Sequence, residues 1–68
     1  MEKITIREEY IKLDSLLKFA GIAETGGHAK IMIQNEDVMV NGEICIQRGK
    51  KIRKGDIVKA FGKEIIIE

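Results

Sequence analysis

Two groups of residues in this chain have types and spacing that suggest chemistry, and both suit an anionic ligand. The first is Thr25-Gly26-Gly27-His28-x-Lys30. If Thr25 caps a helix, the first backbone N–H groups of that helix lack partners and the helix dipole favours negative charge beside them. Gly26 and Gly27 carry no side chains to screen those donors, although glycine costs roughly 1 kcal/mol relative to Ala in a helix interior. A phosphate seated there would also meet Lys30, and His28 offers a donor or a ring to stack on a base. A glycine pair alone fits a flexible loop or a tight helix crossing equally well, and a lone surface histidine is more often incidental. The second group is Arg48, Lys50, Lys51, Arg53 and Lys54, five basic residues in a run of seven with no acid among them. Just before a turn, such side chains can fan toward a phosphate backbone, or form only a solvated loop. Neutralising about four phosphates would give a slope of roughly −3 to −4 in log affinity against log salt.

Other chemistries lack their parts. No nucleophile–base pair, paired carboxylate site or cofactor fingerprint can be assembled, so the chain is expected not to be an enzyme and to need no cofactor. One histidine and one cysteine cannot make the usual four-ligand zinc site within a single chain, and a lone cysteine excludes an internal disulfide. Cys45 is most simply a small apolar residue of the core or sheet, in a chain suited to a reducing compartment.

The elements that must position these groups come from a short chain. Its 68 residues make one small domain, residues 1–68, near the size at which a core only just outweighs the entropy of ordering the backbone. The balance of 44% hydrophobic and 34% charged residues is that of a globular chain. Only three residues are aromatic, so aliphatic side chains must fill the core and little is left for stacking on single-stranded bases. Net charge is +1, so attraction to a polyanion must come from local patterning, with acids gathered at Glu8, Glu9, Glu36 and Asp37. No apolar run approaches a membrane span, and the first ten residues lack the apolar segment of a secretion signal. A soluble, unprocessed, cytoplasmic monomer with no membrane or small-molecule partner is expected.

Lys3 to Arg7 alternates polar and apolar residues, which predicts a half-buried strand with Ile4 and Ile6 inward. Leu13, Leu16, Leu17 and Ala20 recur at helical spacing, predicting a helix over about Lys12 to Ala20 with Asp14 in its first turn and Gly21 as a left-handed cap. Ile22 can then fold back onto the helix end. Thr25 caps a second helix whose Ala29, Met32 and Ile33 face the first, with Gly27, Lys30 and Gln34 on the opposite side. Val38 and Val40 share a strand face, Asn41-Gly42 predicts a type I′ hairpin turn, and Glu43 to Ile46 returns with ambiguous facing. Gly55-Asp56 marks a turn, Ile57 to Phe61 a strand, Gly62-Lys63 another turn, and Ile65 to Ile67 a final strand able to pair with the first.

Leu13-Asp14, Leu17, Gly21, Thr25, Ala29, Lys30, Ile33, Val38-x-Val40-Asn41-Gly42 and Gly55-Asp56 together resemble the S-four domain, named after the fourth protein of the small ribosomal subunit. The match runs ungapped from Leu13 to Gly42. Gly26 stands where the wider family usually has Arg and Glu36 where it often has Gly, so an arginine contact from the second helix does not carry over. Thr-Gly-Gly-x-Ala-Lys, with Arg48-Gly49-Lys50-Lys51 behind it, resembles the short stand-alone bacterial branch of YaaA/YbcJ-type proteins over nearly the whole chain. The resemblance implies an α+β fold, a helical hairpin packed on a small twisted antiparallel sheet (the alpha-L RNA-binding motif). It also implies binding of structured RNA, ribosomal RNA above all, by a ribosome-associated or assembly factor. By position it implies contacts from Lys30 and from Arg48, Lys50, Lys51, Arg53 and Lys54 in a neighbouring loop. Thr25, Gly26, Gly27 and His28 join the expected site on the physical argument alone. Two rivals compete. One is a helix-turn-helix DNA binder, for which Gly27, Lys30 and Gln34 are poor base readers. The other is a protein-interaction module using a sheet edge such as Ile65-Ile66-Ile67.

Overall fold

In the computed structural model, which describes residues 1–68, the chain runs β1 (Glu2–Ile4), β2 (Ile11–Lys12), α1 (Leu13–Phe19), α2 (Gly26–Gln34), β3 (Val38–Val40), β4 (Glu43–Ile44), β5 (Lys51–Ile52), β6 (Ile57–Ala60) and β7 (Lys63–Ile67). Leu13, Leu16 and Leu17 form the inner stripe of α1 and are fully buried. The helix stops where Gly21 takes φ 77. Its N–H donates to Lys18 O and the Ile22 N–H to Leu17 O, the paired bonds of a Schellman end. Ile22 packs back against the core from that position. Across the seam α2 buries Ala29, Met32 and Ile33 and exposes Gly27, Lys30 and Gln34.

The helical hairpin lies on a five-stranded sheet of order β1-β7-β6-β3-β4, antiparallel except for the parallel pair β1 and β7. Val38, Val40, Val58, Ala60, Ile65 and Ile67 form the buried face of the sheet, and with the helix stripes, Ile4, Ile6, Ala23 and Ile52 they complete a core of 16 residues. Helices on one face of a sheet are the simplest way for both to bury their apolar sides. Ile6 lies beyond β1, held by its N–H to Glu68 O. No helix is long and apolar enough to cross a membrane.

Several details differ from the sequence expectation, each for a physical reason. Asn41 and Gly42 both take positive φ, as a type I′ turn requires, but β4 stops at Ile44. Cys45 turns inward against the core while Ile44 and Ile46 remain exposed, which resolves the facing of that segment. The β6–β7 turn is Phe61-Gly62 instead of Gly62-Lys63, with φ 50 and 78, and Ala60 pairs with Lys63. A two-residue loop of this type matches strand twist and favours glycine at its second central position, which Gly62 fills as Gly42 does in the β3–β4 turn.

The final strand is not an edge. β7 lies between β6 and β1, with Glu2 opposite Ile65 and Ile4 opposite Ile67, so Ile65-Ile66-Ile67 offers no free backbone for a partner. That corrects the sheet-edge reading; the edges are β1 and the very short β4. The basic run is likewise more than a loop. Lys51–Ile52 forms β5, paired antiparallel with β2, and Ile52 is fully buried.

The second helix ends as the first does, but with a costlier residue. Glu36 takes φ 64, its N–H donates to Ile33 O and the Asp37 N–H to Met32 O. A left-handed conformation strains any residue with a Cβ, which explains why glycine suits this position. Glu36→Gly is expected to raise unfolding free energy by about 0.5–1 kcal/mol, strain relief less the entropy that glycine adds to the unfolded chain. Urea unfolding should read this as a higher midpoint at unchanged slope.

Candidate nucleic-acid interface

The start of α1 needs acceptors for its first N–H groups, and Lys12, at the cap position, supplies no side-chain bond. The basic run supplies them instead. The Leu13 N–H donates to Lys50 O at 2.9 Å and the Asp14 N–H to Arg48 O at 3.0 Å, while Asp14 Oδ1 accepts from the Ser15 N–H at 2.8 Å. The β2–β5 pairing and buried Ile52 tie the next residues down. With its carbonyls and one apolar side chain turned inward, the run leaves Arg48, Lys50, Lys51, Arg53 and Lys54 all exposed.

The far end of the run is locked by the two short motifs of the sequence, which meet. Asp56 Oδ2 accepts from the Arg53 N–H at 2.8 Å, and Asp56 Oδ1 accepts from Asn41 Nδ2 at 3.0 Å. Asn41 Oδ1 in turn accepts from the Ile57 N–H at 2.9 Å, and the Asn41 N–H donates to Ile57 O at 2.7 Å. Partial burial of Asp56 works against its ionisation. The Arg53 N–H, the Asn41 amide and the charges of Lys50 and Arg53 outweigh that cost and hold the carboxyl below its ordinary value. Asn41 is thus a crosslink as well as a turn former.

Tyr10 touches the basic run in a way that spacing alone does not reveal. Lys51 Nζ sits 5.0 Å and Arg53 Cζ 5.8 Å from its ring centroid. Such contacts are worth about 0.5–1 kcal/mol at exposed sites, enough to bias where two long side chains point. The β2–β5 register creates the cluster by pairing Ile11 with Ile52. Only Arg53 of the five cations has an ion-pair partner, Glu9 at 3.9 Å.

At the start of α2, Thr25 Oγ1 accepts from the His28 N–H at 3.0 Å. His28 Nδ1 accepts from the Glu24 N–H at 3.2 Å, so the neutral ring carries its proton on Nε2 and only that nitrogen is free to donate. The N–H groups of Gly26 and Gly27 find no acceptor in the protein. Neither glycine is demanded by space: a Cβ at Gly26 meets nothing within 4 Å, and one at Gly27 meets only Thr25 Oγ1 at 3.8 Å. Lys30 is exposed one turn further on.

The expected site residues therefore form two groups. Arg48 to Lys54 adjoin the start of α1, whereas Thr25 to Lys30 follow its end, and no hydrogen bond or ion pair joins them. The seven residues of α1, about 10 Å at 1.5 Å per residue, lie between. No three His, Cys, Asp or Glu side chains are grouped to hold a metal.

The lock makes a prediction about stability. Asn41→Ala should lower unfolding free energy by about 1–2 kcal/mol, because Asp56 loses a charge-assisted partner and Ile57 an acceptor. Since the folded-state value of Asp56 lies below its ordinary 3.8, its contribution is full above that value and is lost as pH falls through the depressed one. Wild type and Asp56→Asn should thus differ most near pH 7 and converge on acidification below about pH 4 in chemical denaturation.

Comparison with known proteins places this arrangement. A Bacillus subtilis protein described as "Probable ribosome maturation protein RlbA" is 39% identical over 59 residues, covering 87% of this chain and 83% of that protein. The solution structure of YbcJ from E. coli, described as revealing an alfaL motif involved in RNA-binding, superposes with a TM-score of 0.74. It shares 29% identity and covers 98% of this chain and 86% of that one. The sequence profile of the S4 domain matches residues 4–68, a stretch that contains both helices, the Asn41–Asp56 lock and the whole basic run; the chain belongs to the S4 domain family.

Proposed function

We propose that this chain is a non-enzymatic, cytoplasmic RNA-binding module that recognises the shape and phosphate backbone of structured RNA, with ribosomal RNA as its target in ribosome maturation. One observation carries the reading: five exposed cations stand on a backbone segment fixed at one end by the start of α1 and at the other by Asp56. Cations held in place lose less freedom on binding than cations on a loose loop. Tyr10 orders Lys51 and Arg53 within that set. Arg48, Lys50, Lys51, Arg53 and Lys54 make the principal phosphate contacts. Lys30 and the unpaired N–H groups of Gly26 and Gly27, beside Thr25 and His28, add contacts further along the RNA.

The relatives support the same direction, since one is described by ribosome maturation and the other by RNA-binding. The helix-turn-helix reading has less behind it. The outward face of α2 carries Gly27, Lys30 and Gln34, too few side chains to read base edges in a major groove.

Binding of a fluorescent ribosomal RNA helix should weaken with salt at a log–log slope of roughly −3 to −4. Changing Lys50, Lys51 and Arg53 together to Ala should make that slope shallower by about 2–3 and weaken binding, while duplex DNA of the same length competes poorly. A salt-independent curve, or a triple variant that binds as well as wild type, would sink the reading.

A further inference from the structure

All three aromatic residues lie outside the core, and Phe61 is the one whose position folding least explains. It is 62% exposed and occupies the first central position of the β6–β7 turn at φ 50. A bulky residue rarely adopts that conformation. The equivalent position of the β3–β4 turn holds Asn41 at φ 51, a residue type that tolerates it. Folding alone would favour Asn at 61. Strain that persists without contributing to the core points to a use for the ring.

The surroundings of Phe61 say what that use is. The ring borders a hollow of about 290 Å³ lined also by Gly21, Ile22, His28, Met32 and Lys63. Ile22 and Met32 give the hollow an apolar floor. Lys63 has no carboxylate within ion-pair distance. His28 has its Nδ1 turned to Glu24, which leaves Nε2–H as a donor. An uncovered aromatic face, a cation and a ring donor around an apolar floor suit a flat heterocycle attached to a phosphate. A base stacked within a duplex cannot reach such a hollow, but an unpaired one can.

We infer that the hollow between the β6–β7 turn and the start of α2 is a second nucleic-acid site, taking one unpaired base by stacking on Phe61 with Lys63 on its phosphate and His28 Nε2 donating to it. This rests on the RNA-binding reading above and adds the class of RNA, a helix interrupted by a bulge or ended by a loop. The basic run adjoins the start of β6 and Phe61 follows its end. The four residues of β6 span about 13 Å, which leaves the two within reach of one continuous RNA strand.

The test uses two fluorescent RNA duplexes identical except that one carries a single bulged 2-aminopurine. Wild type should prefer the bulged duplex by about tenfold and quench the 2-aminopurine on binding. Phe61→Asn, which suits the turn and should melt no lower than wild type, should lose the preference and the quenching while binding the paired duplex unchanged. Phe61→Trp should keep both. A Phe61→Asn variant that retains preference and quenching would overturn the inference, as would equal wild-type affinity for the two duplexes. Wild type binding neither duplex would instead overturn the RNA-binding reading, and this inference with it.

Discussion

The backbone of residues 48–56 is where the separate parts of this small protein meet. Its carbonyls at Arg48 and Lys50 cap α1, its Ile52 enters the core, and its Arg53 N–H is held by Asp56, which Asn41 holds in turn. Each bond satisfies a group that would otherwise lack a partner: the orphan donors of a helix start, a turn N–H, the N–H of Ile57 at the start of β6. The cost of a rigid basic segment is therefore met by bonds the fold requires anyway. Charge repulsion within the run is relieved from outside it, by Asp56 and Glu9 and by the face of Tyr10.

Much of this arrangement was legible in the residues, because local rules decide the helices and one turn. Leu13, Leu16 and Leu17, and Ala29, Met32 and Ile33, recur at the spacing of one helix face, and Gly21, Thr25 and Asn41-Gly42 each have a conformational reason to stand where they do. What was not legible depends on partners distant in sequence. A two-residue strand such as Lys51–Ile52 has no period to detect, and Ile52 among cations is the only trace of its burial. Asn41 and Asp56 could each be read as turn residues, yet the bond between them spans 15 positions. The shift of the last turn to Phe61-Gly62 puts Gly62 at the second central position, where a type I′ turn favours glycine, and leaves Phe61 at a positive φ that its side chain disfavours.

The candidate site changed most between sequence and structure. The resemblance implied a basic loop neighbouring the start of α2, but the two stand at opposite ends of α1, so an RNA touching both must run the length of that helix. A core made without aromatic residues gives this geometry a further meaning. Phe19 is 69% exposed and Phe61 62%, and Tyr10 is held against two cations. Rings that a marginal core would gain from burying are instead left outside it.

The central claim is that the fixed basic run is the principal RNA surface. Amide chemical-shift mapping of the isotope-labelled protein, titrated with a ribosomal RNA helix, tests it directly. The largest perturbations are expected at Tyr10 and from Arg48 to Lys54, with the β4 edge around Ile44 and Ile46 nearly silent. Perturbations confined to β4, with the basic run unmoved by saturating RNA, would contradict it.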